Sequence, residues 1–287
     1  MTSKIIHFDT INGEDQLDES YSQKIGTNNL SHNYFTRIPL VNPLYLVSNI
    51  ELSSIEFSNT TYNIRADNGS NIFSLAFIYQ GGQYGITVTL PSKNYTAIAD
   101  LLTDLNSYIL TDISVPILAG FSIILSVNPK DNGKIILKSN CDTSQGTVLL
   151  GSISVVESIM TKYILGFTFN KTTSLSDFAL GNATTGFSTL SASNNYNLQA
   201  DNYFNINFSN INHSGSANAD AKVVTFKLPL SSPYNEVIYY TSGNNFPQCL
   251  MLESNKTVTH LMLKVTDRWG FPVYGKTGFS FSLTFYF

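Results

Sequence analysis

Charge is scarce in this chain. Asp, Glu, Lys and Arg make up 13% of its 287 residues, about half the usual share of a soluble domain. Asn, Ser, Thr and Tyr take the vacated positions, so the surface is polar but weakly charged. A sparse charge suits a molecule largely covered by neighbours, where self-repulsion in a crowded assembly stays small. An AT-rich genome inflates the same residue types, and the two readings are compatible. No stretch is dominated by Lys and Arg, and the net charge is −4. That excludes the basic face of a nucleic-acid-binding domain.

Cysteine is nearly absent as well. Cys141 and Cys249 stand far apart outside any paired motif, so no disulfide framework is expected and intracellular folding with two free thiols is. No apolar run approaches the roughly 18 residues of a membrane span. The opening residues, Met1 to Asp9, hold no apolar core of a leader, so secretion by a signal peptide is not expected.

What the chain does hold is alternation. Leu261, Leu263 and Val265 alternate with polar neighbours, and Phe279, Phe281, Leu283, Phe285 and Phe287 alternate with Ser, Thr and Tyr. Period two over such runs means strands with one dry face. Leu44 to Phe57 alternates too, with a parity slip between Ile50/Leu52 and Ile55/Phe57 that predicts a bulge near Ser53-Ser54. Ile72–Tyr79 and Tyr84–Leu90 flank Gln80-Gly81-Gly82-Gln83, a hairpin signal. Phe121–Val127 and Lys134–Leu137 flank the turn triplet Asp131-Asn132-Gly133. Further strands are expected over Tyr196–Phe208, Lys222–Leu230 and Glu236–Tyr240.

Two stretches depart from period two. Tyr95 to Leu110 places Ile98, Leu101, Leu102, Leu105 and Ile109 at helical spacing, with Ser92 or Asn94 as caps. A second short helix is expected over Ser154–Tyr163. Residues 1–33 read as an extended or disordered N-terminal arm, and 170–195 as a long Ser/Thr/Asn/Gly-rich loop or small insertion. With no βαβ alternation, the expectation is an all-β antiparallel sandwich over 34–287, with two short helices.

Chemistry is thinly marked. His7, His32, His213 and His260 lack metal-ligand spacing. Gly81-Gly82-x-x-Gly85 precedes a strand rather than a helix, so it reads as a hairpin and not a phosphate loop. Glu51, Glu56 and Glu157 have no local support as a glycosidase pair. Asp267-Arg268-Trp269-Gly270 is the most loaded tetrad. It reads either as a sugar platform on Trp269 or as a turn in which Asp267 accepts backbone N–H bonds and Gly270 supplies an unusual φ. The turn is preferred, since the sequence offers the lone tryptophan no aromatic partner. No catalytic, cofactor-binding or metal residue is expected, and no enzyme.

The order of segments resembles the single jelly-roll penton (vertex) and minor capsid proteins of virophages, Polinton-like elements and nucleocytoplasmic large DNA viruses. Ile50 to Phe57 leading to Tyr62-Asn63-Ile64 looks like the family's first core strand and signature. Val88 to Thr96, leading into Leu101-Leu102-x-x-Leu105-Asn106, looks like its strand–helix segment, with Asn94 where Gly is usual. Leu165-Gly166-Phe167, and Leu261 to Phe271 with Phe279 to Phe287, resemble two later motifs. Lys276-Thr-Gly278 replaces an acidic–aromatic pair before the last strand. The resemblance implies a structural, non-enzymatic homopentamer closing the five-fold vertices of an icosahedral virion. It implies contacts with major capsid protein capsomers, assembly in the host cytoplasm, no cofactor, no direct nucleic-acid binding and no membrane span. A minor capsid protein, or a trimeric carbohydrate- or receptor-binding jelly roll, is the alternative.

Overall fold

A computed structural model describes residues 2–9, 14–17, 34–79, 82–113, 121–141, 150–169, 175–177, 187–208, 210–211, 226–243, 248–271, 273 and 279–287. The fold class is the expected one. Every ladder among the described residues is antiparallel, consistent with a β-sandwich of jelly-roll type. The chain forms two compact units, Met1–Thr61 with Asp201–Phe287, and Tyr62–Ala200. Residues of the expected body 34–287 fall in both.

The first unit is built on one sheet ordered β1-β15-β3-β14-β11-β12, with β2 and β13 also paired to β3. Its strands are β1 (Ser3–Asp9), β2 (Glu14–Leu17), β3 (Tyr34–Ser58), β11 (Tyr203–Phe208), β12 (Phe226–Pro229), β13 (Val237–Thr241), β14 (Gln248–Thr266) and β15 (Ser280–Tyr286). Two strands thus fall within the N-terminal arm, and Ser3–Asp9 pairs residue for residue with Tyr286–Ser280. The last two strands do not face each other, since both lie against β3, one on each side. The expected bulge is present: Ser282 pairs with Ser54 and Leu283 with Leu52, passing over Ser53. That extra residue restores parity, so Ile50, Leu52, Ile55 and Phe57 all reach the core.

This core packs phenylalanine rings among aliphatic side chains. Phe8 stacks on Phe281 with centroids 5.0 Å apart, Phe57 meets Phe204 edge-on at 5.3 Å, and Phe208 meets Phe226 at 6.0 Å. Such pairs add about 0.5–1.5 kcal/mol each beyond area burial. The strand expected over Tyr196–Phe208 begins only at Tyr203. Its first residues spend their backbone N–H groups elsewhere, Tyr196 on Gly133 and Asn197 on Ile164.

The second unit holds two small sheets and a helix. One sheet is ordered β5-β4-β8-β9 and the other β10-β7-β6. The strands are β4 (Ile72–Tyr79), β5 (Gly82–Thr89), β6 (Phe121–Asn128), β7 (Asp131–Cys141), β8 (Leu150–Val156), β9 (Leu175–Asp177) and β10 (Phe187–Ser191). β9 and β10 lie within the 170–195 segment and pair with β8 and β7. The chain reverses between β6 and β7 at Pro129-Lys130, where Asn128 pairs with Asp131. The register passes over Asn132-Gly133-Lys134 beside that turn, with Gly133 N–H donating to Asp131 Oδ1 at 3.3 Å.

Helix α1 runs over Ile98–Ile113 and buries Leu101, Leu105 and Ile109 completely. It starts three residues later than the spacing of apolar residues predicts. Asn63 occupies the Tyr95 backbone from both sides, accepting its N–H at 2.9 Å and donating to its C=O at 2.8 Å. Ser92 is no cap either, because its Oγ accepts the Ala66 N–H. The second short helix is present but starts later than expected. Ser154–Val156 belongs to β8, and the helix is a five-residue π-helix, Met160–Ile164. The Ser-Ile-Ser-Val-Val run is β-branched and alternating, which favours a strand.

Candidate functional site

The outward face of the first unit's sheet carries a concavity of about 360 Å³. Its construction follows from register. His7, Ser282, Ser54 and Thr241 stand side by side on four adjacent strands, and Asp9, Ser280, Glu56 and Tyr239 form the next row two residues along. Both rows lie on the face opposite Phe8, Phe281, Ile55 and Tyr240, which are buried in the core. The middle positions are serines, too short to rise from the sheet, while His7, Glu56 and Tyr239 stand tall around them. Small residues between large ones make the hollow.

Hydrogen bonds order its floor. Ser282 Oγ lies 2.6 Å from His7 Nδ1 and accepts from Ser54 Oγ at 3.0 Å. One row on, Ser53 Oγ and Thr284 Oγ1 are 2.5 Å apart. Tyr286 then donates to Glu51 Oε2 at 2.5 Å, which raises its hydroxyl above the usual tyrosine value. Sequence spacing could not reveal this cluster, because its members come from residues 7–9, 54–56, 239–241 and 280–282. The outward Ser/Thr/Tyr parity of β15 was the one visible trace.

The other marked residues separate. Glu157 lies in the second unit, where it binds Lys162 at 2.5 Å and raises that ammonium's pKa. His260 has Thr259 Oγ1 2.9 Å from its Nδ1, and His32 and His213 lie outside the described residues. Gly82 and Gly85 sit in the β4–β5 hairpin, and Gly81 lies outside the described residues. Cys249 is exposed with a free thiol. Among the described residues no three His, Cys, Asp or Glu side chains gather closely enough to hold a metal ion.

The tetrad at 267–270 is a turn. Asp267 is fully buried, and its Oδ1 accepts the N–H groups of Trp269 at 2.9 Å and Phe271 at 2.8 Å. Gly270 has φ +88°, the left-handed region open to glycine. Arg268 lies 5.5 Å from the Trp269 ring and 5.9 Å from Tyr203, and Lys227 sits 3.7 Å over Tyr203.

No family model matches the chain, and no curated protein matches it. Among solved structures it is similar to a selenomethionine-labelled crystal structure of the mavirus penton protein, at 11% identity and a TM-score of 0.40, over 99% of each chain.

Proposed function

We propose that this chain is a structural protein of an icosahedral DNA virus particle, a homopentameric penton closing the five-fold vertices. One observation carries the reading: the segments that resemble the penton family are the joints of their own units. Asn63 of the Tyr62–Ile64 signature clasps Tyr95 of the next motif. Gly166 of Leu165-Gly166-Phe167 sits at φ +83°, where an added Cβ would lie 2.3 Å from Asn194 O. Asp267 ties the turn after β14, and β15 lies between β1 and β3. Family-like residues spent on holding a shape, with none in a nucleophile–base–orienter set, support a building block rather than a catalyst.

In this reading one flank of each copy meets the opposite flank of the next, the heterologous contact that closes a ring. Low charge limits repulsion among five copies and the surrounding major capsid protein capsomers. Ser3–Asp9 and Glu14–Leu17 are taken up by the chain's own sheet. The protein would reside in the virion after assembly in the host cytoplasm, without cofactor, nucleic-acid contact or membrane span. Native mass spectrometry of the purified chain and immunogold labelling of particles test it. Five copies and vertex labelling are expected. A trimer transfers the protein to the minor-capsid or spike alternative, and a strict monomer absent from particles ends the proposal.

A further inference from the structure

We propose that the hollow over β1, β15, β3 and β13 is a binding site for a neutral sugar, independent of any role in a capsid. The dimensions fit. Four strands about 4.8 Å apart span about 15 Å, and rows two residues apart lie about 6.8 Å from each other, a footprint for one or two hexose rings. The volume of about 360 Å³ is at the lower end of small-molecule sites, roughly 300–1,000 Å³.

The lining selects the ligand class by elimination. Among the described residues no Lys or Arg lines the hollow, so a phosphate- or sulfate-bearing ligand finds no counter-charge there, and the carboxylate of Glu56 repels it further. A peptide strand cannot insert across the middle of the hollow, because β3 and β15 are paired on both sides at these positions. Among the described residues a metal ion lacks three close ligands. An apolar ligand would strip water from a floor of hydroxyls.

What suits the site is a molecule with many hydroxyls and one apolar face. Glu56, exposed at the rim, only accepts hydrogen bonds, while the serine and threonine hydroxyls and the imidazole both give and take. Tyr239 is 67% exposed and offers a ring for the C–H face of a sugar. The hydrogen bonds of Ser282 to His7 and Ser54 hold the floor in place before a ligand arrives, which lowers the ordering cost of binding.

The test is saturation-transfer NMR on the full chain with millimolar glucose, galactose, mannose and N-acetylglucosamine, with N-acetylneuraminic acid as an anionic comparator. Transfer to at least one neutral sugar and none to the acid is expected. Tyr239→Ala and Glu56→Gln, both at exposed positions, should each weaken binding about tenfold or more. Tyr239→Phe should retain binding, and Trp269→Ala should leave it unchanged. Trp269 fluorescence and circular dichroism verify the fold of the Tyr239 and Glu56 variants, and circular dichroism alone that of Trp269→Ala. Absence of transfer to every neutral sugar overturns the proposal. So does transfer that survives both Tyr239→Ala and Glu56→Gln, or transfer lost with Trp269→Ala.

Discussion

The two units reach stability by different means. In the first, strands from opposite ends of the chain meet: Phe8 stacks on Phe281, and Phe287 N–H donates to Thr2 C=O. A backbone ladder and stacked phenylalanine rings join these distant segments. The second unit is one continuous stretch, Tyr62–Ala200, with fewer buried phenylalanines, and, as Asn210 does at His260 and Met262 in the first, amide side chains clasp its backbone. Asn63 holds Tyr95, and Asn106 both accepts from Leu125 N–H and donates to its C=O at 2.8 and 2.9 Å. Asn71 donates to Leu90 C=O at 2.8 Å. An asparagine amide imitates a peptide group, so it completes a sheet or loop where no strand is available. The abundance of asparagine that first reads as composition is, at these positions, architecture.

Each half of that contrast has its own probe. Trp269, the only tryptophan, reports on the first unit, and α1 reports on the second through ellipticity at 222 nm. The largest effect is expected from Phe285→Ala. Its side chain is fully buried, and removal should cost about 3–5 kcal/mol, read as a lower urea midpoint by Trp269 fluorescence. Next comes Gly166→Ala, which must adopt a left-handed φ at about 1–2 kcal/mol and also displace Asn194. A loss of about 2 kcal/mol or more is expected at 222 nm. Identical midpoints at both probes in both variants would erase the distinction.

The smallest effect, Tyr95→Phe, sharpens it. Tyr95 donates to Asp104 Oδ2 at 2.7 Å, and its loss should cost about 1–2 kcal/mol at neutral pH. Burial, then that bond, holds the Tyr95 hydroxyl well above the usual tyrosine value. The bond in turn holds the Asp104 carboxyl below its ordinary 3.8, opposed by burial and helped by Lys93. A depressed carboxylate stabilises the fold above its unfolded pKa and loses that contribution as pH falls through its folded value. The gap between wild type and Tyr95→Phe should therefore be full at pH 6–7 and shrink below about pH 3.8. A gap independent of pH would mean that the bond does not couple to Asp104.

What was legible in the sequence was local. The dry face of β15, the bulge at Ser53, the β4–β5 hairpin and the Asp267 turn all depend on neighbours within a few residues. Long-range register was hidden. Nothing in residues 258–287 says that β14 and β15 part to either side of β3, and nothing near His7 points to Ser282, its hydrogen-bonding partner. The late start of α1 was hidden for the same reason, because the competitor for the Tyr95 backbone lies at Asn63, on the far side of a hairpin.

β3 also sets a timetable. It pairs with β2, β13, β14 and β15, and three of these four follow residue 236. A ribosome adds roughly 5–20 residues per second, so the interval between the end of β3 and the arrival of those partners is on the order of ten seconds or more. For that time most of a 25-residue apolar strand waits with open edges. Pro39 and Pro43, which cannot donate to a ladder, and the charges of Glu51 and Glu56 lie along the waiting strand, where they discourage pairing between nascent chains on one message.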